Sequence, residues 1–135
     1  LQQTELYVNN RYAQASRNPV RLVFFPRDEY GYPVAIEEQP TVSTEPKVTA
    51  ITQEKPHGNN GMVFIDLASQ NTGRYVVKVQ YQDFSDTATV YFAPNCLADK
   101  SFCVKHPVQA WWFLRNLIQD KIRARQEKLQ QAWLK

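Results

Sequence analysis

The chain has 135 residues, 43% of them hydrophobic and 21% charged, with a formal net charge of +3. That length suits one domain able to fold alone, and the composition excludes a disordered polymer. No apolar run approaches the ~20 residues that a bilayer-spanning helix needs. The charge is uneven: residues 1–95 carry eight Lys+Arg against ten Asp+Glu, whereas residues 107–135 carry six against two. The basicity belongs to the tail, so arguments about partners start there. No basic-then-apolar leader opens the chain, and Leu1 in place of Met suits a mature or excised form.

In chain order, the first strong element is "VRLVFF", residues 20–25, an apolar β-prone run. The next segment, "PRDEYGYP", supplies Pro26, Asp28, Glu29, Gly31 and Pro33 as turn chemistry. "VAIEEQPTVST" and "KVTAITQ" read as shorter, more polar strands, with Pro40 pointing to an edge position or a bulge. "KPHGNNG" reads as a loop with a tight turn at Asn60–Gly61, and "MVFIDLAS" as a further strand.

The clearest signal is "NTGRYVVKVQYQDFSDTATVYFAP". Tyr75, Val77, Val79 and Tyr81 alternate with Arg74, Val76, Lys78 and Gln80. After the polar turn "QDFSD", Thr87, Thr89 and Tyr91 alternate with Ala88, Val90 and Phe92. Period-2 alternation on both sides of a short turn predicts an antiparallel hairpin. Six or seven strands, with turn signals roughly every ten residues, predict a sandwich.

Pro94 ends the strand pattern, and Cys96 and Cys103 bracket the segment that follows. Three readings are open: a disulfide in an oxidising compartment, free thiols in the cytosol, or metal ligation by Cys96, Cys103 and His106. The metal set lacks a fourth ligand and a standard zinc spacing, and the disulfide is preferred over free thiols mostly because a sandwich of this kind is common outside the cytosol. A bridge there closes a short loop and contributes roughly 2.5 kcal/mol on the chain-entropy model.

From Pro107, which suits the first position of a helix, to Lys135 there is no Gly and no further Pro. Helix-favouring Leu, Gln, Arg, Lys and Ala dominate this segment. On a helical wheel Trp111, Leu114, Ile118, Ile122, Leu129 and Trp133 form one stripe, interrupted by Arg125. The expected division is therefore an immunoglobulin-like sandwich over 1–95, a Cys-bracketed loop over 96–106 and an amphipathic helix over 107–135. The fold class is mainly β.

Residues 20–92 resemble the bacterial immunoglobulin-like domains of the invasin and intimin type. The resemblance rests on "VRLVFFPRDEYGYPVAIEE", with Asp28, Gly31, Pro33 and Val34, and on "GRYVVKVQYQDFSDTATVYF". In the latter, Gly73, Tyr75, Val77, Val79, Ser85, Asp86, Ala88, Val90 and Phe92 fall in the matching places. The middle strands depart from that pattern, and the Cys-bracketed loop and the helix lie outside it. The resemblance implies an extracytoplasmic sandwich used as a spacer, scaffold or adhesion module, in the periplasm, at the cell surface or secreted.

Little in the sequence points to catalysis. His57 and His106 stand beside no nucleophile signature, and Asp28/Glu29 and Glu37/Glu38 read as solvated charges. No glycine-rich phosphate loop is present, and no cofactor or metal is expected. The helix is the candidate binding element, through Trp111, Ile118, Ile122, Arg125, Leu129 and Trp133. Its length, ~43 Å at 1.5 Å per residue, exceeds the ~17–20 Å of typical strands. The first turns, around Trp111, Phe113 and Leu114, should cover the sandwich and the last turns overhang it.

The leading expectation is a non-enzymatic structural or protein-interaction module of a bacterial surface, conjugation or secretion assembly, or adhesin. Docking to a partner protein or to a second copy would run through the helix. A soluble protein that inhibits or regulates an enzyme or toxin is the alternative, and a membrane-surface anchor the third. Nucleic acid is disfavoured, because the charge is modest and the β-domain slightly acidic.

Overall fold

A computed structural model describes residues 3–36, 38–54 and 61–133. Among these residues eight strands form two four-stranded sheets, and two helices follow. The strands are β1 (Glu5–Asn10), β2 (Tyr12–Gln14), β3 (Val20–Phe25), β4 (Thr41–Glu45), β5 (Ala50–Glu54), β6 (Val63–Ala68), β7 (Gly73–Tyr81) and β8 (Phe84–Ala93). One sheet has the order β1-β3-β6-β5 and the other β2-β8-β7-β4. Every pairing is antiparallel except β2 with β8, which is parallel. This is an immunoglobulin-like sandwich, with the first strand divided between the two sheets.

Alternation along the strands builds the core. Val20, Leu22 and Phe24 of β3, and Val63, Ile65 and Leu67 of β6, are fully buried. Across the sandwich they meet Val77 and Val79 of β7 and Val90 and Phe92 of β8. Inward residues fall on every second position because successive side chains of a strand point to opposite faces. Tyr75, near the start of β7, is buried and donates its hydroxyl to Asn71 O at 2.9 Å. That hydroxyl also lies 2.9 Å from Ser69 Oγ. Its ring meets Phe92 edge-on, so the tyrosine ties the β6–β7 corner to the core.

Several expectations shift. β1 and β2 were not marked by any strong pattern. They form because the register breaks between Val8 and Asn10, and Asn10 turns inward. Its amide donates to Pro19 O and accepts from Arg21 N, and the chain then crosses to the second sheet. Of the described residues of "VAIEEQPTVST" only Thr41–Thr44 are strand, within β4 on a sheet edge; Val34–Ile36 runs irregularly and buries Ile36. The predicted turn "QDFSD" shortens to Gln82 and Asp83, because Phe84 packs its ring against Phe24 and pulls Phe84–Asp86 into the ladder. Gln82 takes the positive φ, 53°, that this tight turn requires. In the 26–33 turn, Asp28 Oδ1 accepts from Tyr30 N and Tyr32 N, and Gly31 takes φ +85°. Glu37, His57 and the Asn60 half of the expected Asn60–Gly61 turn lie outside the described residues.

The segment expected as a connecting loop over 96–106 contains a helix, α1 (Lys100–Lys105). Asn95 Oδ1 accepts from Leu97 N and Ala98 N. Asp99 caps the helix by accepting from Phe102 N at 3.1 Å. Cys96 and Cys103 are bridged, with Cα atoms 5.7 Å apart, so the helix is tied back to the end of β8. His106 closes the elbow: its N–H donates to Phe102 O, and its ring stacks on Phe102 at 4.1 Å. Pro107 opens α2 (Pro107–Trp133).

Candidate protein-interaction surface

α2 carries two apolar rows on roughly opposite faces. The docked row is Ala110, Phe113 and Leu117 at i, i+3 and i+7, with Asn116 beside it. Phe113 and Asn116 are buried, the others half-buried. Trp112 flanks this row, its ring 5.2 Å from that of Tyr91, which itself stacks on Tyr12 at 4.9 Å. Gln119 Nε2 donates to Tyr12 O at 3.0 Å. The helix therefore covers the β2–β8 side of the sandwich, where β2 makes only a three-residue strand. Covering that short edge blocks it from pairing with another chain.

The row singled out by the wheel is the other one. Trp111, Leu114, Ile118, Ile122 and Leu129 are 47–55% exposed. The expectation that Trp111 and Leu114 cover the sandwich is thus corrected: of the three residues named there, only Phe113 does so. The ring of Trp112 packs on Tyr91, itself stacked on Tyr12, and Phe113 is buried, leaving Trp111 on the far side. Arg125 is exposed, as is every described side chain from Lys121 to Ala132. The backbone of Trp133 ends α2, and its side chain lies outside the described residues. Arg115 holds its guanidinium 4.9 Å from the centroid of the Trp111 ring, a cation–π contact that keeps the charge at the rim of the row. Leu97, Val104 and Val108 are also exposed and extend the apolar surface onto the elbow.

Elsewhere polar groups serve the fold. Asp28 holds its turn, and His106 Nδ1 lies 2.9 Å from Phe102 O. Asp66 takes two hydrogen bonds from Arg21, at 2.8 and 2.9 Å, which hold the guanidinium above its ordinary pKa. Asp66 lines a cleft of about 430 Å³, among Ser16, Asn18, Thr52 and Ser69. Among its described lining residues there is no His or Cys. Bridging removes both cysteines as thiolate ligands, which sets aside the three-ligand metal reading with His106. Among the described residues, no group of three or more His, Cys, Asp or Glu gathers as a metal would require. No helix among them is long and apolar enough to cross a membrane.

Comparison with protein-family models, curated proteins and solved structures gives no match in any of the three. The surface must therefore be read from its own chemistry. The wheel found the outward row. It missed the docked row because Asn116 interrupts it, although the Ala110–Phe113–Leu117 spacing was a readable signal.

Proposed function

We propose that this chain is a non-enzymatic, extracytoplasmic structural or protein-interaction module, which engages its partner through the outward face of α2. The observation that carries the reading is the row Trp111, Leu114, Ile118, Ile122 and Leu129, half-exposed on the face turned away from the sandwich. Together these side chains leave on the order of 500 Å² of apolar surface open, at the upper end of what monomers expose without an interaction role. The disulfide supports an oxidising location. The resemblance of residues 20–92 to invasin- and intimin-type domains supports a bacterial surface, conjugation or secretion assembly, or an adhesin, as the setting.

The test is the double variant Ile118→Ser/Ile122→Ser in the full chain. Both side chains are already half in water, so thermal stability should change by less than about 1 kcal/mol. Recovery of the chain in its native assembly, measured by light scattering after size-exclusion chromatography, should fall. A variant that loses cooperative unfolding would show that this face is core, and the interaction reading would be wrong.

A further inference from the structure

We infer that the outward face of α2 is one strand of a heterotypic coiled coil, whose other strand is a helix with acidic flanks. This rests on the interaction reading above and adds the chemistry of the partner. Its first support is the spacing. Trp111, Leu114, Ile118, Ile122, Arg125, Leu129 and Trp133 follow one another at intervals of 3, 4, 4, 3, 4 and 4. Each register position therefore returns after 11 residues: Trp111 with Ile122 and Trp133, Leu114 with Arg125, Ile118 with Leu129. Eleven residues in three turns is ~3.67 per turn, close to the ~3.6 of a straight helix. The row hardly drifts, and from Trp111 to Leu129, ~27 Å, it stays on the side away from the sandwich.

The second support is width. The row spans about 100° of the helix circumference at ~100° per residue. That width suits packing of one helix against another, and Asp120, Glu127 and the run of Gln on the rest of α2 disfavour a bilayer surface. The third support is charge. Arg115, Lys121, Arg125 and Lys128 all lie within about 90° of the centre of the seam, while Asp120 and Glu127, the only acids of α2, lie about 170° away. No carboxylate of α2 borders the seam. Two copies meeting face to face would set these cations against one another, and a partner with Asp or Glu at its flanks would pair with them. Arg125 sits within the seam itself, so the facing position on the partner takes a carboxylate, which fixes the register of the pair. From Lys121 onward the described side chains are all exposed, so a second helix can lie along this stretch without meeting the sandwich.

The experiment uses the full chain and fluorescently labelled peptides of two kinds, each written in both chain directions. One has Leu and Ile at the same 3-4-4 spacing, Glu at the flanks and Glu opposite Arg125; the other carries Lys at those positions. Anisotropy titrations should show the Glu peptide binding at least 100-fold more tightly than the Lys peptide, and weakening at least 10-fold between 50 and 500 mM salt. Ile118→Ser/Ile122→Ser should abolish binding, and Lys121→Glu/Lys128→Glu, at two exposed positions, should remove most of the preference, Arg115 and Arg125 remaining. Equal binding of both peptides, or none, overturns the inference. So does a seam-dependent homodimer that the Glu peptide does not dissociate. Binding to phosphatidylglycerol vesicles by a chain that ignores both peptides also overturns it, while keeping the outward face as an interaction surface. Unfolding of Ile118→Ser/Ile122→Ser, by contrast, removes the interaction reading itself.

Discussion

Asn116 offers the sharpest test of how α2 is held. It is fully buried on α2, and neither Nδ2 nor Oδ1 has a hydrogen-bond partner among the described residues. An amide withdrawn from water without compensating bonds costs about 1–3 kcal/mol in folded proteins. Asn116→Leu keeps the branched shape and removes that penalty, while the bulk of two methyl groups gives back up to ~1 kcal/mol in crowding. The net expectation is stabilisation of about 1–2 kcal/mol, or roughly 4–8 °C in Tm for a domain of this size. Thermal unfolding, followed by circular dichroism and tryptophan fluorescence, measures it. Asn116→Ala is the size control: it loses the amide but leaves a void, so its Tm should fall below that of the leucine variant. If Asn116→Leu melts lower than the natural chain, the amide is bonded in the folded protein, and the account of the docked face is wrong.

Two further outcomes follow from other parts of the fold. Reducing the Cys96–Cys103 bridge, or replacing both cysteines with Ser, should cost about 2–3 kcal/mol. Hydrogen exchange should rise across α1, because six residues do not hold a helix without a tether; unchanged exchange would show that the capped turn stands alone. Tyr75→Phe removes the hydroxyl bonded to Asn71 O and Ser69 Oγ and should lower stability by about 1–2 kcal/mol in denaturant titrations. A neutral result would mean that the corner is held by the ring's contact with Phe92 alone.

What could be read from the sequence depended on how much of a segment's environment is local. β3, β6, β7 and β8 alternate because each has one face in the core, so Val20, Leu22 and Phe24, or Tyr75, Val77 and Val79, announce the strand. β1 and β2 carry no such pattern. Their single crossing from one sheet to the other is set by Asn10 bonding Pro19 and Arg21, which are distant in a linear reading. α1 is too short for periodicity, and only its Asp99 cap could have marked it. For α2 the helix was legible but its docking was not. The wheel reports where apolar side chains cluster, whereas docking depended on Tyr91 of β8, which meets Trp112 and stacks on Tyr12 of β2. The strongest apolar row thus ended outside and the weaker one inside.

That inversion links the fold to the proposed role. A helix needing only to cap the β2–β8 edge would place its richest row, Trp111 to Leu129, against Tyr91, and would gain more by doing so than by burying Asn116. The chain does the reverse. Docking uses the row with an unbonded amide, whereas the row of Trp, Leu and Ile faces solvent with its cations at the rim. The bridge at Cys96–Cys103 and the Phe102–His106 stack fix the direction in which α2 leaves the sandwich. On the proposed reading, the sandwich thereby sets where the outward row points, and the row would supply the contact. On this account strengthening the docked face through Asn116→Leu should leave partner binding intact, because the two rows act on opposite sides of one helix. Binding that weakened with that change would mean that α2 must turn or lift off Tyr91 to engage its partner, and the two faces would be alternatives rather than layers.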